Sequence, residues 1–556
     1  MATEDITSSA SGQASGKAGL FLRKSSGLIR AFSPFDAFAY NIYAVSIIVA
    51  AAFSYAIAWQ WPDANIPLAI IFNCVGLIPM CIVYAMLATI MPRAGGDYIW
   101  QSRVLGGPLG FVLGFLIPVF GTTFFIAGNV APGPGMVMSP TFLALGKIFS
   151  IPALITFSSW ISTTVGTWWF YVFYCSFAAG VLILGMRFYA KFQKWSFIIG
   201  CIAIVLWLGI LLATTKESFP SSFSNFMQSA YNWGNGNAYQ EVLTMAETNG
   251  FNAVPTSETT VWSSFLIGPV IAYAFMAIVW AGNLSGEIGG LKTFKNSLFI
   301  YVGGILFCLV VCAGLMWLLI GKIGNEFFTS ANFLWMGGYA SQLPVAPYFG
   351  LFIMSMTKSP LMWILIVIGL NAWFWIWPTN NAVGSTRVAF AMSYDRMLPG
   401  FVAKVSTRYA APVLAIAMFY VVALVMGWLY FFTRFASLTL VMPLCITIYF
   451  SASVLSGVLL PYKKNTKKMY EDSPISKYKI FGKPAITIIG IIALIYNGFL
   501  FVLYVVDPRY GTNSPLSYMF IGGIIVLGLI IYFVYRSYRR RIGINTDLTY
   551  KEIPSD

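Results

Sequence analysis

The chain contains no histidine, and only 9% of its 556 residues are charged. Without imidazole, histidine bases, histidine-ligated metals and Ser-His-Asp triads are excluded. The seven cysteines all lie within apolar stretches, which argues against structural disulfides. Cys308 and Cys312 are four residues apart but have no further ligands, so we interpret them as small hydrophobic side chains. The sequence therefore predicts neither an enzyme nor a resident metal or cofactor.

Hydrophobic residues make up 58% of the chain, and the mean hydropathy is +0.77. Apolar stretches of about 20 residues recur along the sequence, and each matches the hydrocarbon thickness of a bilayer. This pattern predicts an all-α polytopic membrane protein with twelve transmembrane helices. The expected spans are 37–59, 66–90, 109–131, 168–186, 195–214, 263–282, 298–320, 361–392, 412–431, 435–460, 486–506 and 516–535.

The distribution of lysine and arginine agrees with this topology if both termini are cytoplasmic. All but six of the 33 basic residues then lie in cytoplasmic segments, as the positive-inside bias requires. The six on the outer side are Lys147, Lys216, Lys322, Lys358, Arg434 and Arg509. The net charge of +15 thus reflects topology and anionic lipid, and no nucleic-acid partner is expected. The polar N-terminus does not resemble a signal peptide, and we predict a cytoplasmic tail.

Two further segments are assigned to the outer side. Residues 345–356 are apolar but too short to span, and they are predicted to be a loop packed over the bundle. Residues 216–262 form the longest outer loop and carry no recognisable catalytic grouping.

No ionisable residue lies in the middle of a predicted helix. Asp36, Glu287, Arg387 and Asp395 fall near inner helix ends, where water is expected to reach them. A proton pump built on buried carboxylates is therefore disfavoured. A site for polyamines or metal cations is disfavoured too, because it would need an opposing carboxylate.

Small and polar residues lie near the middle of the first and sixth spans. They are Asn41, Tyr43, Ala44 and Ser46 in the first, and Tyr273, Phe275, Met276 and Ala277 in the sixth. Such residues occur in broken helices that expose backbone groups to a substrate, but also where helices simply pack closely. These residues alone favour close packing.

Two sequence motifs carry a more specific resemblance. "PRAGGDYIWQSRVLGGPLGF" resembles the connection between the second and third helices of amino acid/polyamine/organocation (APC) transporters, through Pro92, Gly95, Gly96 and Tyr98. "STRVAFAMSYDRMLPGF" resembles the exit of the family's eighth helix. There the matching residues are Arg387, Asp395, Leu398, Pro399 and the later Pro412. "GEIGGLKTFKNSL" resembles the end of the sixth helix, without the usual double Glu and Asn-Pro. The resemblance, of amino acid permease type, extends from residue 33 to about residue 464.

The resemblance implies a leucine-transporter-type fold of two five-helix inverted repeats, followed by two C-terminal helices. The expected divisions are a cytoplasmic tail (1–32), a first repeat (33–214), an extracellular loop (215–262), a second repeat (263–460), a cytoplasmic loop with the last two helices (461–536) and a cytoplasmic tail (537–556).

The resemblance also implies secondary active transport of amino acids across the plasma membrane by alternating access, with neutral or zwitterionic substrates favoured. The expected partners are this small molecule and membrane lipid, and no oligomeric state is predicted. No cofactor is expected, and coupling to Na⁺ or H⁺ stays open. The fifth helix lacks the lysine of proton-coupled relatives. The alternatives are a transport-dead nutrient sensor of the same fold and a transporter of another small amine-bearing metabolite; a membrane enzyme and a channel are disfavoured.

Family members bind the substrate carboxylate at a break in helix one and the ammonium at a break in helix six. In this chain the first role falls on Tyr43, Ala44, Val45 and Ser46, and the second on Tyr273, Ala274 and Phe275. Further substrate-binding candidates are Asn41, Met276, Ala277, Trp377 and Asn381. Thr379, Asn380 and Asn381 either form an ion site or satisfy one another. Because Ala44-Val45-Ser46 replaces the usual Gly-x-Gly, either the unwinding is gentler or the substrate is not a standard amino acid.

The first motif is also expected to seal the cytoplasmic side. Paired glycines allow the connection to lie close to the bundle, and Arg93, Arg103 and Asp97 are expected to keep its other face in the cytoplasm. Ion pairs across this gate are one interpretation of its charged residues, and ordinary interfacial charge is the other. The candidate gate residues are Arg93, Gly95, Gly96, Asp97, Glu287, Arg387 and Asp395.

Overall fold

The computed structural model describes residues 30–120, 126–406, 411–438 and 441–551. Within these ranges, ten helices are long and apolar enough to cross a membrane. They are Ile66–Ile90, Thr164–Ile183, Met186–Ala213, Val261–Glu287, Phe294–Ile323, Pro360–Tyr394, Val413–Phe432, Phe435–Leu459, Ala485–Val506 and Pro515–Arg541. The molecule is thus a multi-pass helical membrane protein.

The helices of the first half follow the expected spans, with additional short elements between them. In chain order they are α1 (Pro34–Val45), α2 (Ala50–Ala56), α3 (Ile66–Ile90), α4 (Gly96–Val104), α5 (Gly107–Phe120), α6 (Ser139–Ile148), α7 (Pro152–Trp160), α8 (Thr164–Ile183), α9 (Met186–Ala213), α10 (Phe219–Tyr231) and α11 (Ala238–Thr248).

Within the described residues, the second half contains fifteen further α-helices and one small hairpin. The helices are α12 (Val261–Leu266), α13 (Gly268–Phe275), α14 (Phe294–Leu298), α15 (Gly304–Ile323), α16 (Asn325–Met336), α17 (Phe349–Ser355), α18 (Pro360–Phe374), α19 (Trp377–Tyr394), α20 (Val413–Phe432), α21 (Phe435–Leu438), α22 (Met442–Leu459), α23 (Lys467–Glu471), α24 (Ala485–Val506), α25 (Pro515–Arg541) and α26 (Thr546–Thr549). The antiparallel strands β1 (Lys479–Ile480) and β2 (Lys483–Pro484) precede α24.

The first predicted span is a broken helix. A capping box between Ser33 and Asp36 starts α1, and the helix ends at Ser46, whose φ of +49° lies in the left-handed region. The chain resumes helical structure at Ala50 and continues through a 3₁₀ segment, Ile57–Gln60. Hence a break forms here although the sequence offers no glycine.

The third predicted span, 109–131, coincides with α5 at its start. Residues 121–125 lie outside the described residues, and helical structure then continues well past 131, through a π-helical stretch, Pro134–Met138, into α6. The sequence did not predict α6 or α7. The outer loop 216–262 contains α10 and α11, and the segment 345–356 contains α17, all of whose residues are buried.

The sixth and eighth predicted spans change geometry midway. After α13, the chain from Met276 to Glu287 is a 3₁₀ helix. Trp375 and Ile376 separate α18 from α19, and Pro378, which has no N–H, lies in the first turn of α19. The Tyr174 hydroxyl on α8 lies in this gap: it donates to the Trp375 carbonyl oxygen at 2.7 Å and accepts from the Thr379 N–H at 3.1 Å. A side chain from another helix thus satisfies backbone groups at the interruption.

The connections assigned to one side of the membrane do meet in space. Asn325 donates its side-chain amide to the carbonyl oxygens of Pro62 and Val254, at 2.8 and 3.0 Å. Lys147 donates to the Ser229 carbonyl oxygen at 2.6 Å. Pro62 precedes α3, Lys147 lies in the last turn of α6, Ser229 and Val254 lie between α9 and α12, and Asn325 begins α16. These parts of the chain therefore belong to one end of the bundle. We call this end the cavity face, and the end that carries α4 the α4 face.

Candidate functional site

The paired glycines place the connection between α3 and α4 directly against two other helical segments. Gly95 has a φ of +71°, and its N–H donates to the Asn283 carbonyl oxygen at 2.7 Å. A methyl group on Gly95 would lie 2.4 Å from the Ala391 side chain on α19, and one on Gly96 would lie 2.1 Å from the Gly282 carbonyl oxygen. Both positions therefore require glycine if the connection is to stay in this contact.

Arg387 and Glu287 form a buried, two-pronged ion pair beside this connection. The Arg387 Nε lies 2.7 Å from Oε1 of Glu287, and Nη2 lies 3.2 Å from Oε2. Arg387 comes from α19 and Glu287 ends the 3₁₀ segment Met276–Glu287, so the pair joins two segments that are 100 positions apart in the chain. Each residue is only 1% exposed.

A second buried ion pair joins α4 to the end of α19. Arg103 contacts both carboxylate oxygens of Asp395, at 2.5 and 2.9 Å. The Tyr98 hydroxyl also donates to Asp395, at 2.9 Å. The aromatic ring of Tyr550, beyond α26, lies over the Arg103 guanidinium with 5.6 Å between its centroid and Cζ. The C-terminal segment therefore packs on this pair.

These contacts correct two expectations from the sequence. Asp97 and Arg103 do not face the cytoplasm, and Glu287, Arg387 and Asp395 are not open to water: all five side chains are buried. For four of them the physical reason is an ion pair with a residue far along the chain, which offsets the desolvation of the charge, whereas Asp97 is buried with two hydroxyl donors. Arg93 is half-buried, with Nη1 3.2 Å from the Pro92 carbonyl oxygen, and Asp36 caps α1.

Asp97, at the start of α4, has hydrogen-bond donors but no basic partner in the contacts of its carboxylate. Tyr84 from α3 and Ser453 from α22 both donate hydroxyl hydrogen bonds to Oδ1, at 2.5 and 2.6 Å. Oδ2 is buried and meets no donor among the described residues. Burial raises the pKa of the Asp97 carboxyl to about 7, although the hydrogen bonds from Ser453 and Tyr84 lower it.

Two candidate substrate residues of the first helix, Asn41 and Tyr43, make hydrogen bonds to other segments of the protein. Asn41 accepts from the Ala281 N–H at 2.8 Å and donates to the Ile300 carbonyl oxygen at 3.3 Å. It therefore joins α1 to the 3₁₀ segment Met276–Glu287 and to the residues before α15. Tyr43 donates to the Ala372 carbonyl oxygen at 3.0 Å. Tyr43, Ala44 and Val45 are helical, so the interruption lies further along the chain than the sequence suggested.

The break interrupts the backbone hydrogen bonding of the helix at Ile47 and Ile48. The N–H groups of Val49 and Ala51 both donate to the Ser46 carbonyl oxygen, at 3.2 and 3.1 Å. The N–H groups of Ile47 and Ile48 meet no backbone acceptor within the described ranges. The Ser46 hydroxyl is likewise buried without a described partner. Unpaired polar groups inside a membrane protein are expected where a ligand or water completes them.

Among the three consecutive residues proposed as an ion site, Thr379 and Asn380 make different side-chain contacts. The Thr379 hydroxyl lies 2.9 Å from that of Tyr174, whereas Asn380 donates to the Tyr40 carbonyl oxygen at 2.6 Å. Successive side chains of a helix differ in direction by about 100°, and the ion site stays a prediction. Asn380 and Asn381 each keep a buried Oδ1 without a described partner.

A cavity of about 480 Å³ enters from the cavity face. Pro269, Val270 and Tyr273 of α13 line one side, and Ser54 and Ile57 line another. Of the predicted substrate residues, this cavity reaches Tyr273 and Trp377. Ala274, Phe275, Met276 and Ala277 continue the chain from Tyr273 across the change to 3₁₀ geometry and are buried.

Several residues of the site were not anticipated from the sequence. They are Tyr40, Tyr84, Tyr174, Gln101 and Ser453, whereas Tyr98 was identified as a motif residue without its partner Asp395. Each supplies a hydroxyl or amide to a partner in another part of the chain, apart from the local pair of Tyr84 and Asp97. The one available signal was the need of an interrupted helix, such as that at Pro378, for an external hydrogen-bond donor or acceptor.

These features define a helical membrane protein of the transporter class, with interrupted helices and one closed end. The sequence model described as "Amino acid permease" matches residues 32–530, and the chain belongs to this family. It is a family of transporters and not of enzymes. The chain is also similar to "Uncharacterized protein 399" of Sulfolobus islandicus rod-shaped virus 1, with 32% identity over 78 residues. That match covers 14% of this chain and 20% of the viral protein.

Proposed function

We propose that this protein is a secondary active transporter that moves amino acids across the plasma membrane by alternating access. The observation that carries the proposal is the contrast between the two ends of the bundle. A cavity reaches Tyr273 and Trp377 from the cavity face, whereas two buried ion pairs and the glycine contacts close the α4 face. Alternating access requires a state that is open on one side only.

Neutral or zwitterionic amino acids are the favoured substrates. Arg509 is the one charged residue among the described residues that line the cavity, and it is paired with Asp507 at 2.6 Å. The backbone amides of Ile47 and Ile48 suit a carboxylate, and carbonyl groups of Tyr273, Ala274 and Phe275 suit an ammonium group. A substrate with a net charge would lack a counterion in such a site.

The proposed architecture has twelve spans, with both termini in the cytoplasm. The broken segment α1–α2 and the third segment, which begins with α5, add two spans to the ten long helices. We further propose that residues 33–214 and 263–460 form the two inverted repeats. In this arrangement the α4 face is cytoplasmic and the cavity face is extracellular.

The first test is a thermal-stability screen of the purified protein against the standard amino acids and common amines, with and without Na⁺. A bound ligand raises the melting temperature. Uptake and equilibrium binding in proteoliposomes follow for every ligand that does so. Saturable uptake of a neutral amino acid is the expected result. Binding without uptake would favour a nutrient sensor, a shift with amines alone would favour another amine-bearing substrate, and no shift with any compound would contradict the proposal.

The second test addresses the two interrupted helices. Ser46→Leu and Ala277→Leu should abolish binding, because both positions are buried and leave no room for added bulk. Ser46→Ala is the matched control, since its hydroxyl makes no hydrogen bond to a described residue and one neutral bond contributes only about 0.5 to 1.5 kcal/mol. Folding of each variant is checked by size-exclusion profile and melting temperature. If both leucine variants fold, bind and transport normally, the substrate lies elsewhere.

A further inference from the structure

Asp97 differs from the other buried acidic residues of the α4 face. Glu287 is bound by Arg387, and Asp395 is bound by Arg103. The Asp97 carboxylate instead receives two hydroxyl hydrogen bonds on one oxygen, while the other oxygen is buried without a described partner. A buried carboxylate with no counterion is unstable in its charged form, and adding a proton removes the charge.

The surroundings of Asp97 contain several titratable groups, and no basic group of the described residues contacts its carboxylate. Tyrosines face it from three elements: Tyr84 of α3, Tyr301 before α15 and Tyr449 of α22. Gln101 of α4 donates to Ser453, which in turn donates to Asp97. The charged groups on the adjoining segments are Arg93, which is half-buried and contacts the Pro92 carbonyl oxygen, and the two ion pairs, Arg387 with Glu287 and Arg103 with Asp395. The positive N-terminal end of α4 favours the carboxylate, and burial opposes it.

Asp97 lies at the contact that closes the α4 face. A methyl group on Gly282 would be 3.2 Å from Oδ2 of Asp97, and one on Gly96 would be 2.1 Å from the Gly282 carbonyl oxygen. The carboxyl therefore lies against the same 3₁₀ segment that α4 must leave if this face opens. Such a separation would admit water to Asp97 and remove the penalty on its charge.

We propose that Asp97 is a proton-binding site whose protonation accompanies closure of the α4 face, so that the transport cycle is coupled to a proton. The carboxyl takes up one proton when α4 packs against the 3₁₀ segment and releases it to water when α4 moves away. By linkage, low pH favours the closed state and high pH favours opening. The coupling to transport rests on the proposed function, whereas the proton site itself does not.

The proton affinity of Asp97 suits this role. Burial raises its pKa from 3.8 to about 7, which corresponds to roughly thousandfold tighter proton binding. A hydrated carboxyl in the open state would return toward the lower value and lose its proton at neutral pH. Because the pKa is raised in the folded protein, the native state binds more protons than the unfolded state between about pH 4 and pH 7. The stability due to this group is therefore present at low pH and lost as the pH rises through 7.

Infrared difference spectroscopy on the full-length protein in nanodiscs tests the proton site without any substrate. A protonated carboxylic acid has its own carbonyl-stretch band, and the wild type should lose such a band with a midpoint near pH 7. Asp97→Asn should abolish this transition, and the exposed-residue control Asp472→Asn should retain it. A near-neutral transition that survives in Asp97→Asn, or its absence from the wild type, would overturn the assignment.

Tyr84 and Ser453 are positioning residues, and they provide a second measurement. Both donate to the carboxylate, so Tyr84→Phe and Ser453→Ala should each move the infrared midpoint upward, by about one pH unit. A purely structural role for these hydroxyls would lower stability without moving the midpoint. An unchanged midpoint in both variants would contradict the proposed hydrogen-bond arrangement.

The link to gating is tested by thiol labelling at position 391, where Gly95 contacts α19. In Ala391→Cys, the labelling rate at each pH is divided by that of the unfolded protein, which corrects for thiolate content. The normalised rate should be several-fold higher at pH 8 than at pH 6, and adding Asp97→Asn should make it low at both. If the normalised rate in Ala391→Cys with Asp97 unchanged does not depend on pH, the proposed coupling is wrong.

Proteoliposome uptake with and without a pH gradient completes the test. The gradient should accelerate uptake in the wild type and not in Asp97→Asn. If no variant transports any amino acid while the infrared transition is present, the proposed function fails and the proton site stands. If the wild type transports an amino acid at the same rate with and without the pH gradient, the proposed coupling to a proton is wrong and the proposed function stands.

Discussion

Single residues on the α4 face are constrained by space as much as by charge. Gly96→Ala would bring a methyl group to 2.1 Å from the Gly282 carbonyl oxygen, and a backbone atom cannot move away as a side chain can. We expect a loss of about 1 to 3 kcal/mol, typical of overpacking. The measurement is the melting temperature in detergent or nanodiscs.

The matched control for Gly96→Ala is Gly522→Ala in α25, where a methyl group would meet no atom within 4 Å. Alanine is the better helix former there, so this variant should be neutral or gain up to about 1 kcal/mol. Equal behaviour of the two variants would show that Gly96 is not a close contact.

The buried ion pair of Glu287 and Arg387 makes a second prediction at this scale. Glu287→Gln leaves the guanidinium buried without its carboxylate, and breaking such a pair costs about 3 to 5 kcal/mol. Glu471→Gln is the control, since its pairing with Lys467 is 3.8 Å long and more than half exposed. Its loss should change stability by less than about 1 kcal/mol. A similar change in melting temperature for both would contradict the assignment of the first pair as buried.

The sequence identified Glu287, Arg387 and Asp395 as gate candidates but not their environment. Arg103 was expected to face water, yet it pairs with Asp395, a residue 292 positions away. Local sequence carries no record of such a partner, because burial of a charge depends on which distant helix packs against it. The same reason explains why Tyr84 and Ser453 were not connected with Asp97.

At the scale of elements, prediction succeeded where a helix is long, apolar and uninterrupted. The predicted span 66–90 has the bounds of α3, and 486–506 differs from α24 by one residue. It failed where a break depends on tertiary contacts. The resemblance placed the break of the first helix at Tyr43 to Ser46, but the helix continues through Val45, and the third predicted span continues past 131 to α6. Hydropathy measures how apolar a segment is, and it does not locate a hydrogen bond from another helix.

The C-terminal segment is an element whose packing the sequence did not suggest. The Tyr550 ring covers Arg103 and Gly107, and Asp547 pairs with Arg536 at 2.7 Å. Tyr550→Ala should therefore destabilise the protein, on the order of 3 kcal/mol for a large buried aromatic side chain. Tyr538→Ala, at a residue 54% exposed, should cost below about 1 kcal/mol. Comparable melting temperatures for the two variants would show that the segment does not stabilise the α4 face.

At the scale of the whole molecule, the positions of the loops support the proposed topology. Arg509, one of the six basic residues placed outside, lies over the Trp61 ring at 4.6 Å, on the same face as Lys147. On the opposite face, Arg539 donates to the Arg396 carbonyl oxygen at 3.1 Å, and both were placed inside. The alternation of charge and the contacts between loops thus agree, although they are independent of each other.

Thiol labelling of sealed cells decides which face is external. Ser257, between α11 and α12, and Lys477, before β1, are both exposed, so cysteine at either position is accessible to a reagent on its own side. With twelve spans and cytoplasmic termini, Ser257→Cys should react with an impermeant maleimide in intact cells. Lys477→Cys should react only after permeabilisation. The wild type is the background control, since its described cysteines are buried or half-buried. The reverse pattern would place the α4 face outside. Labelling of both positions in intact cells would mean that an even number of spans separates Ser257 from Lys477, which contradicts the proposed topology.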